Sequence, residues 1–434
     1  MMPNQPPSES RWPAVLLAGI GALLVVFPGT AAPIGLPLGV LLLVWRRSRC
    51  GAWAPVVAAR RPAFALVAVL PLTLFPIVDW ALAIPRLVAL LGGLTFAFAL
   101  VDLIRSERGL LMSAVTLLVG GSGLALLSPV IAEWPLYKTP VLPVLAPLYA
   151  QFPQLLSGAV VGTARGGMHV NQLAGIASAL LPFSVVLWAF ARGRVIRLVA
   201  MIASLLLGTM LLLSQSRSGY LGAAIGVVVA LSWAVIAMRP NHRPAWTVGL
   251  VATAVMLGVL LKPMIWEWGE ASEAAYDSLS GRLELWDRAL LMLRDLPFTG
   301  VGPGQFSLVL HRWYEPLVLP PATYVPHAHN VLLQLALDLG VLGMAATLAL
   351  GGTVVASAVR AAHSPLRRLI AIGVSAGFVG FFAYGMTDAI AIGARGALPI
   401  WALLGLGMAI DHLTRMARAD GIDKGANVGM LRCD

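Results

Sequence analysis

Apolar runs long enough to cross a lipid bilayer recur along nearly the whole chain. A membrane-spanning helix needs about 20 predominantly apolar residues. Hydrophobic residues fill 59% of the 434 positions and charged residues only 11%, against roughly 25% charged in soluble domains. The sequence therefore predicts an all-α polytopic membrane protein, a single integral membrane domain over residues 1–434 with about twelve spans. These lie near 13–28, 32–45, 63–80, 86–104, 110–129, 171–190, 196–214, 218–238, 245–264, 328–358, 367–386 and 397–415.

Basic residues are distributed unevenly between the predicted loops. The formal net charge of +11 is compatible with nucleic acid binding. However, most of the 30 basic residues fall in alternate loops and at the chain ends, as the positive-inside rule requires of cytoplasmic segments. We therefore expect a multi-pass protein surrounded by membrane lipids, with both termini in the cytoplasm and no nucleic acid partner.

A minority of the basic residues lies on the opposite, outer side and needs another explanation. Predicted spans 6, 8, 10 and 12 all begin on that side, so their partly positive N-termini point outward. Helix N-termini beside arginine side chains bind anions, which predicts an outer pocket for a diphosphate or a similar anion. The outer basic residues are Arg86, Lys138, Arg165, Arg217, Lys262, Arg282, Arg288, Arg294, Arg312 and Arg395.

Two long loops are predicted on the same outer side. The first, about 130–170, ends in a glycine-rich segment in which Arg165 precedes Asn171. One interpretation is that these two residues contact sugar or phosphate. The other is that the segment is a flexible connector in which the arginine is incidental. The second, 265–327, forms a loop subdomain with a helix at 282–294. Arg282 and Trp286 lie one turn apart on that helix. Trp stacks on sugar faces and Arg pairs with phosphate, although a helix that only packs the loop would show the same spacing.

A polar turn at residues 214–220 separates two apolar spans and carries Ser216, Arg217 and Ser218. An ordinary hairpin with an arginine reaching for lipid headgroups is one interpretation. A turn alone would not need an arginine on the side that the orientation rule disfavours, so the sequence favours a turn that grips phosphate.

Two histidines, His327 and His329, immediately precede span 10. Asn330, Gln334 and Asp338 follow at four-residue spacing and share one helix face. Two histidines without a third ligand are weak evidence for zinc, and we expect neither a metal nor another cofactor. A histidine at a helix N-terminus is biased toward its neutral form, so it can act as a general base. A purely structural cap is equally compatible with the pattern.

Four stretches together resemble the O-antigen ligase and polymerase superfamily of bacterial membrane glycosyltransferases. The resemblance implies a C-type glycosyltransferase fold and a metal-independent inverting transfer at the periplasmic face of the bacterial inner membrane. Asp338 departs from the family pattern, in which glutamate is more frequent. The matching residues are Gly162 with 171–174 and 181–182; 214–219; Gly281, Arg282 and Trp286 with 297–302; and 326–330 with 333–334 and 339–340.

The resemblance assigns catalytic roles to His329, Arg217 and Arg282. His329 would be the base or the orienting group for the acceptor hydroxyl, while Arg217 would grip the lipid diphosphate with help from Arg282. The family pattern singles out His329, but the residues alone do not decide between His327 and His329. The expected substrate-binding residues are Arg165, Asn171, Ser216, Ser218, Trp286, His327, Asn330 and Gln334.

The expected activity is that of an O-antigen ligase. Its donor would be undecaprenyl-diphosphate-linked O-antigen and its acceptor the lipid A-core oligosaccharide. An O-antigen polymerase and a protein O-glycosyltransferase of the same superfamily remain alternatives; the short segment after the last span weighs against the second. A lipid-linked glycan transporter would carry ionisable residues in the middle of several spans, whereas here the polar positions cluster at the outer face.

Overall fold

The computed structural model describes residues 12–133, 168–238, 279–317, 319, 325–391 and 393–422. Within these ranges the protein is almost entirely helical. A 3₁₀ turn, Arg395–Ala397, precedes the last helix, and the two-residue strands Ala132–Glu133 and Met168–His169 pair in parallel. The helices are α1 Trp12–Val26, α2 Pro28–Cys50, α3 Arg60–Thr73, α4 Trp80–Leu103, α5 Glu107–Ile131, α6 Val170–Phe190, α7 Arg194–Ser214, α8 Arg217–Met238, α9 Leu279–Asp295, α10 Phe306–Trp313, α11 Val331–Arg360, α12 Pro365–Gly385 and α13 Leu398–Ile422.

Nine of the described helices are long and apolar enough to cross a membrane, namely α2, α4 to α8 and α11 to α13. The first and third predicted spans correspond to α1 and α3, which have only 15 and 14 residues. The predicted span at 245–264 lies outside the described residues. The predicted loop helix is present as α9. The prediction of an all-α polytopic membrane protein is confirmed.

Helices α6, α8 and α12 pack closely because glycines allow their backbones to approach. A Cβ atom at Gly222 of α8 would lie 2.6 Å from the carbonyl oxygen of Gly380 of α12. The Ser178 hydroxyl of α6 donates a hydrogen bond to the Gly219 carbonyl of α8 at 3.0 Å. These contacts hold the beginnings of α6 and α8 and the end of α12 together at one end of the bundle.

Helices α11 and α13 begin at that same end. The Asn330 side chain donates from Nδ2 to the Met386 carbonyl, just after α12, at 3.1 Å. Thr387 donates to the Ser218 hydroxyl of α8 at 2.9 Å. A Cβ at Gly396 would lie 3.5 Å from the Met168 side chain, which precedes α6. The four helix N-termini that the sequence assigns to the outer side therefore meet at one end of the described bundle.

Helix α11 is broken at Gly340, where the sequence predicted an uninterrupted helix. Gly340 has φ +68° and ψ 172°, and a Cβ there would collide with the Phe298 carbonyl. The Val341 N–H donates to the Pro297 carbonyl at 2.8 Å, while the Leu337 carbonyl accepts from Val301 at 2.8 Å. The segment that follows α9, residues 297–304, is called the glycine-rich turn below. Its backbone forms hydrogen bonds with α11 where the helix is broken.

Replacing Gly340 with alanine is expected to lower the melting temperature of the purified protein and to reduce its activity. The backbone angles of Gly340 lie in a region that is essentially restricted to glycine, where another residue costs about 1–3 kcal/mol, and the collision with Phe298 adds to that cost. Gly351→Ala is the matched control, because it lies in the same helix with open space around its Cα. Equal melting temperatures for the two variants would show that the break is not a structural requirement.

The described part of the predicted loop subdomain has a small apolar core of its own. Leu285 and Met292 of α9 pack with Phe306 and Leu310 of α10. Leu337 of α11 belongs to the same cluster and joins it to the bundle. The division of the chain into a membrane domain with a loop subdomain at 265–327 stays a prediction.

The opposite end of the bundle carries ion pairs in the segments that the charge distribution assigns to the cytoplasm. Arg46 donates to both carboxylate oxygens of Asp102 at 3.1 and 3.0 Å, and the Arg367 guanidinium lies 3.1 Å from the Glu107 carboxylate. These pairs fix helix ends to one another. The orientation of the protein across the membrane stays a prediction.

Candidate active site

Two histidines and an aspartate meet at the end of the bundle where the four helices begin. His327 Nε2 lies 3.7 Å from Asp388 Oδ1, and His329 Nδ1 lies 3.6 Å from the same oxygen. The two imidazole centroids are 4.3 Å apart. Asp388 is 1% exposed and His329 is 4% exposed. A buried carboxylate between two imidazoles forms a compact centre for proton transfer.

The segment carrying the histidines is held in an unusual conformation by its neighbours. His329 has φ +48°, in the left-handed region that non-glycine residues rarely adopt. Its N–H donates to His327 Nδ1 at 3.3 Å, and the Ala328 N–H donates to the Gln334 side-chain oxygen at 2.9 Å. Asn330 caps α11 by accepting from the N–H groups of Leu332 and Leu333. These bonds fix the backbone of the histidine segment and the direction of the His327 imidazole.

The polar stripe on α11 faces protein, as the cost of exposing polar groups to lipid requires. Gln334 donates to Asp338 Oδ1 at 2.9 Å, and the Gly304 N–H donates to the same oxygen at 3.2 Å. The stripe therefore links the histidine segment to the glycine-rich turn. Asn330 and Gln334 have structural partners in the protein, and their predicted contact with substrate stays a prediction.

Positive charge flanks the histidine cluster from two helices. The Arg282 guanidinium on α9 acts electrostatically on His327, His329 and Asp388. Arg86 on α4 acts electrostatically on His327. Its side chain also lies close to Gly304, since a Cβ atom added at that glycine would be 3.3 Å from Arg86 Cγ. These arginines place an anion-binding environment beside the cluster.

Arg217 lies at the same end as the first residue of α8. The hydroxyl of the next residue, Ser218, accepts a hydrogen bond from Thr387, the neighbour of Asp388. The structure thus brings Arg217, Arg282 and both histidines to one end of the bundle, where a diphosphate could meet two arginines.

Burial keeps both imidazoles neutral at physiological pH. Burial lowers the pKa of His327 to about 4, with Asp388 opposing that shift. Burial and the adjacent His327 lower the pKa of His329 well below its ordinary value. Burial alone would raise the pKa of Asp388, but the two histidines and Arg282 hold it below its ordinary value. The cluster therefore offers two neutral imidazoles beside an ionised carboxylate. The sequence predicted a neutral histidine from its position at a helix N-terminus, whereas in the structure burial is the main reason that the imidazoles are neutral.

The remaining predicted site residues differ in position. Arg165 lies outside the described residues. Asn171 is buried in the first turn of α6, and its N–H donates to His169 Nδ1 at 3.2 Å. Ser216 is buried and accepts from the Gly219 N–H at 3.3 Å. Trp286 is half-buried on α9, one turn after Arg282. The substrate contacts predicted for these residues stay predictions.

The sequence did not point to three residues that the structure places at the cluster, namely Asp388, Tyr384 and His169, and it included Arg86 only among the outer basic residues. Tyr384 is fully buried and faces the Asp388 carboxylate. The Tyr384 hydroxyl and the Asp388 carboxylate interact with each other. The sequence feature that could have identified Asp388 is its position, because it is an acidic residue directly after predicted span 11 on the predicted outer side.

The cluster also has a geometry that could hold a metal ion. One ligand atom each from His327, His329 and Asp388 lie within 4.8 Å of one another. Two imidazoles and a carboxylate match the ligand types that zinc accepts in catalytic sites. The sequence expectation of a metal-free site was based on the family resemblance and on the apparent lack of a third ligand, and Asp388 supplies such a ligand.

The fold and the site define a multi-pass membrane protein with a buried histidine–aspartate cluster, flanked by arginines, at one end of its helix bundle. The protein-family model described as O-antigen ligase matches residues 202–348. The match covers about a third of the chain and three of the four motif stretches, and the matched model describes the kind of protein that these motifs resemble. The matched stretch contains Arg217, Arg282, His327 and His329 and ends before Asp388. No curated protein matches the chain.

Proposed function

We propose that the protein is an O-antigen ligase that transfers O-polysaccharide from undecaprenyl diphosphate to a hydroxyl of the lipid A-core oligosaccharide at the periplasmic face of the inner membrane. The observation that carries the proposal is the convergence of neutral His329, ionised Asp388 and the arginines at one end of the bundle. The family match over residues 202–348 supports the substrate class.

His329 acts as the general base in this proposal. Its Nδ1 faces Asp388 Oδ1 at 3.6 Å, which favours the tautomer with the proton on Nδ1 and leaves Nε2 to accept the proton of the acceptor hydroxyl. The acceptor oxygen then forms a bond to the anomeric carbon of the donor sugar with inversion. Asp388 stabilises the imidazolium that results.

The arginines act on the leaving group. As the bond between the anomeric carbon and the phosphate oxygen breaks, its electron pair passes to the departing undecaprenyl diphosphate. Arg217 and Arg282 neutralise the growing negative charge, which is the kind of electrostatic stabilisation that fixed cationic groups provide in water-poor sites. Arg86, close to His327, adds a third positive group on the α4 side.

Deletion of the gene tests the proposal in the cell. The expected result is lipopolysaccharide that carries core sugars only, while the lipid-linked polymer accumulates. Loss of chain length with single repeats still attached to the core would instead indicate an O-antigen polymerase. Unchanged lipopolysaccharide with a missing glycoprotein would indicate a protein O-glycosyltransferase.

The pH dependence of transfer follows from the neutral state of the base. Because the pKa of His329 lies below its ordinary value of 6.5, activity is retained near neutrality and is lost only as the pH falls through the lowered pKa. The Asp388 charge raises the pKa of His329, so Asp388→Asn should move this acid limb to still lower pH while reducing the maximal rate. Initial rates between pH 4 and pH 9 measure this; a limb near pH 6.5 or above in the wild type would contradict it.

Transfer is expected to survive removal of divalent metal ions, because His329 supplies the base and the arginines supply the positive charge. The measurement is the initial rate of the purified protein after dialysis against EDTA, compared with the same sample after zinc or magnesium is restored. A rate that disappears on dialysis and returns with one metal would assign His327, His329 and Asp388 as metal ligands instead.

A further inference from the structure

A groove of about 390 Å³ lies away from the histidine cluster, between the α3–α4 connection and the helices α9 and α10. The apolar part of its lining includes Pro76, Leu296 and Val309. The remainder of its lining, called the rim below, includes Asp295, Trp313 and Tyr314. Ligand pockets in proteins have this size and this combination of an apolar surface with a few fixed polar groups.

The polar part of the rim is a hydrogen-bonded pair. The Tyr314 hydroxyl donates to Asp295 Oδ2 at 2.6 Å, and burial together with Asp295 raises the pKa of Tyr314 to about 12. Asp295 is exposed. The pair therefore presents a carboxylate oxygen, held in place by a tyrosine, to whatever enters the groove.

The aromatic part of the rim is Trp313, which is 55% exposed. The guanidinium of Arg312 lies over its ring, 4.9 Å from the centroid. Only the opposite face of the indole can therefore receive a ligand. An exposed indole face beside a carboxylate is suited to a molecule with both C–H surfaces and hydroxyl groups.

The groove is connected rigidly to the helix that carries the histidines. Val301, which lines the groove, donates its N–H to the Leu337 carbonyl of α11 at 2.8 Å. Gln305 exchanges two hydrogen bonds with the Asp79 backbone, at 2.9 and 2.8 Å. From His329 to Leu337 a helix would rise about 12 Å, so a chain that reaches both places must contain more than one sugar ring.

Charge and polarity decide between possible occupants. A phosphate would meet the negative charge of Asp295, and a hydrocarbon chain would offer no hydrogen-bond donor to the exposed Asp295 carboxylate. A neutral sugar satisfies both parts of the rim, since its hydroxyls can donate to the carboxylate while its C–H face covers the indole.

We propose that this groove is a saccharide-binding subsite that holds a neutral sugar residue of the glycan, away from the sugar that undergoes transfer. The proposal rests on the proposed function in that it takes the glycan to be a substrate. It adds a second point of contact that would favour long chains over single repeats.

Saturation-transfer NMR on the full-length protein in lipid nanodiscs tests the subsite directly, with no maltoside detergent present to compete. The probes are the methyl glycosides of glucose, galactose, rhamnose and N-acetylglucosamine, with glucose 1-phosphate as the charged counterpart. At least one neutral glycoside should give a signal in the wild type. That signal should fall about fivefold to tenfold in Trp313→Ala, the scale of one aromatic contact, and should also fall in Tyr314→Phe.

Trp80→Ala is the matched control, because Trp80 is 49% exposed but does not line the groove; it should keep the wild-type signal. An unchanged signal in Trp313→Ala, an equal loss in Trp80→Ala, a preference for glucose 1-phosphate, or no signal from any glycoside would overturn the subsite. Glycoside binding that depends on Trp313 in a protein without transferase activity would leave the subsite standing and remove the proposed function. Transferase activity in a protein that shows no Trp313-dependent glycoside binding would remove the subsite and leave the proposed function standing.

Discussion

Replacing His329 with alanine is expected to abolish measurable glycan transfer. A positioned general base contributes about 10²- to 10⁴-fold to a rate, and His329 is the imidazole whose Nδ1 faces the buried Asp388 carboxylate. The measurement is the initial rate of transfer by the purified protein in proteoliposomes, with lipid-linked glycan and lipid A-core both present. Binding of the lipid-linked donor should be retained, because the arginines remain in place.

His327→Ala is the control that separates the two histidines. His327 accepts the N–H of His329 through its Nδ1, so its loss should loosen the segment and give a smaller decrease in rate. Melting temperature and gel-filtration profile establish that each variant is folded. A folded His329→Ala protein with the wild-type rate, or a greater loss in His327→Ala, would remove His329 from the role of base.

Replacing Arg217 with alanine is the second change expected to have a large effect. Loss of one fixed donor to developing negative charge costs about 10²- to 10³-fold in rate, and Arg217 begins α8 beside the segment that contains Asp388. Transfer should fall by that factor, and the donor concentration needed for half-maximal rate should rise. Arg217→Lys should restore part of the rate, since lysine supplies charge without the paired hydrogen bonds of a guanidinium.

Arg360→Ala provides the comparison for the loss of a single positive charge. Arg360 is exposed at the far end of α11, so its removal should leave donor dependence and rate unchanged. An Arg217→Ala protein that matches Arg360→Ala in both quantities would exclude Arg217 from diphosphate binding.

The helical membrane architecture could be predicted from the sequence because it depends on local composition. Long apolar runs demand helices when water is absent, and the runs that became α4, α5 and α6 needed no knowledge of their neighbours. The break at Gly340 could not be predicted in this way. It depends on the Pro297 and Val301 backbones, which are remote in sequence and supply the hydrogen bonds that α11 loses.

The candidate site, like the fold, could be predicted only in part from the sequence. The sequence drew attention to His327 and His329 because polar residues are costly next to apolar spans. It drew attention to Arg282 because this outer basic residue lies one turn from Trp286 on a predicted loop helix. It did not lead to Asp388, because one acidic residue after a span has no local pattern and its meaning comes only from proximity to the histidines. The stripe of Asn330, Gln334 and Asp338 was located correctly on one helix face, but its hydrogen bonds to the histidine segment and the glycine-rich turn required the tertiary structure.

In the proposed function, the histidine cluster transfers a glycan from a lipid diphosphate to lipid A-core. Reconstitution of the purified protein with undecaprenyl-diphosphate-linked O-glycan and two competing acceptors, lipid A-core and the lipid-linked repeat, measures this most directly. The predicted result is glycosylated lipid A-core with release of undecaprenyl diphosphate, present in the wild type and absent in His329→Ala. Exclusive extension of the lipid-linked repeat, or transfer that persists without His329, would contradict the account.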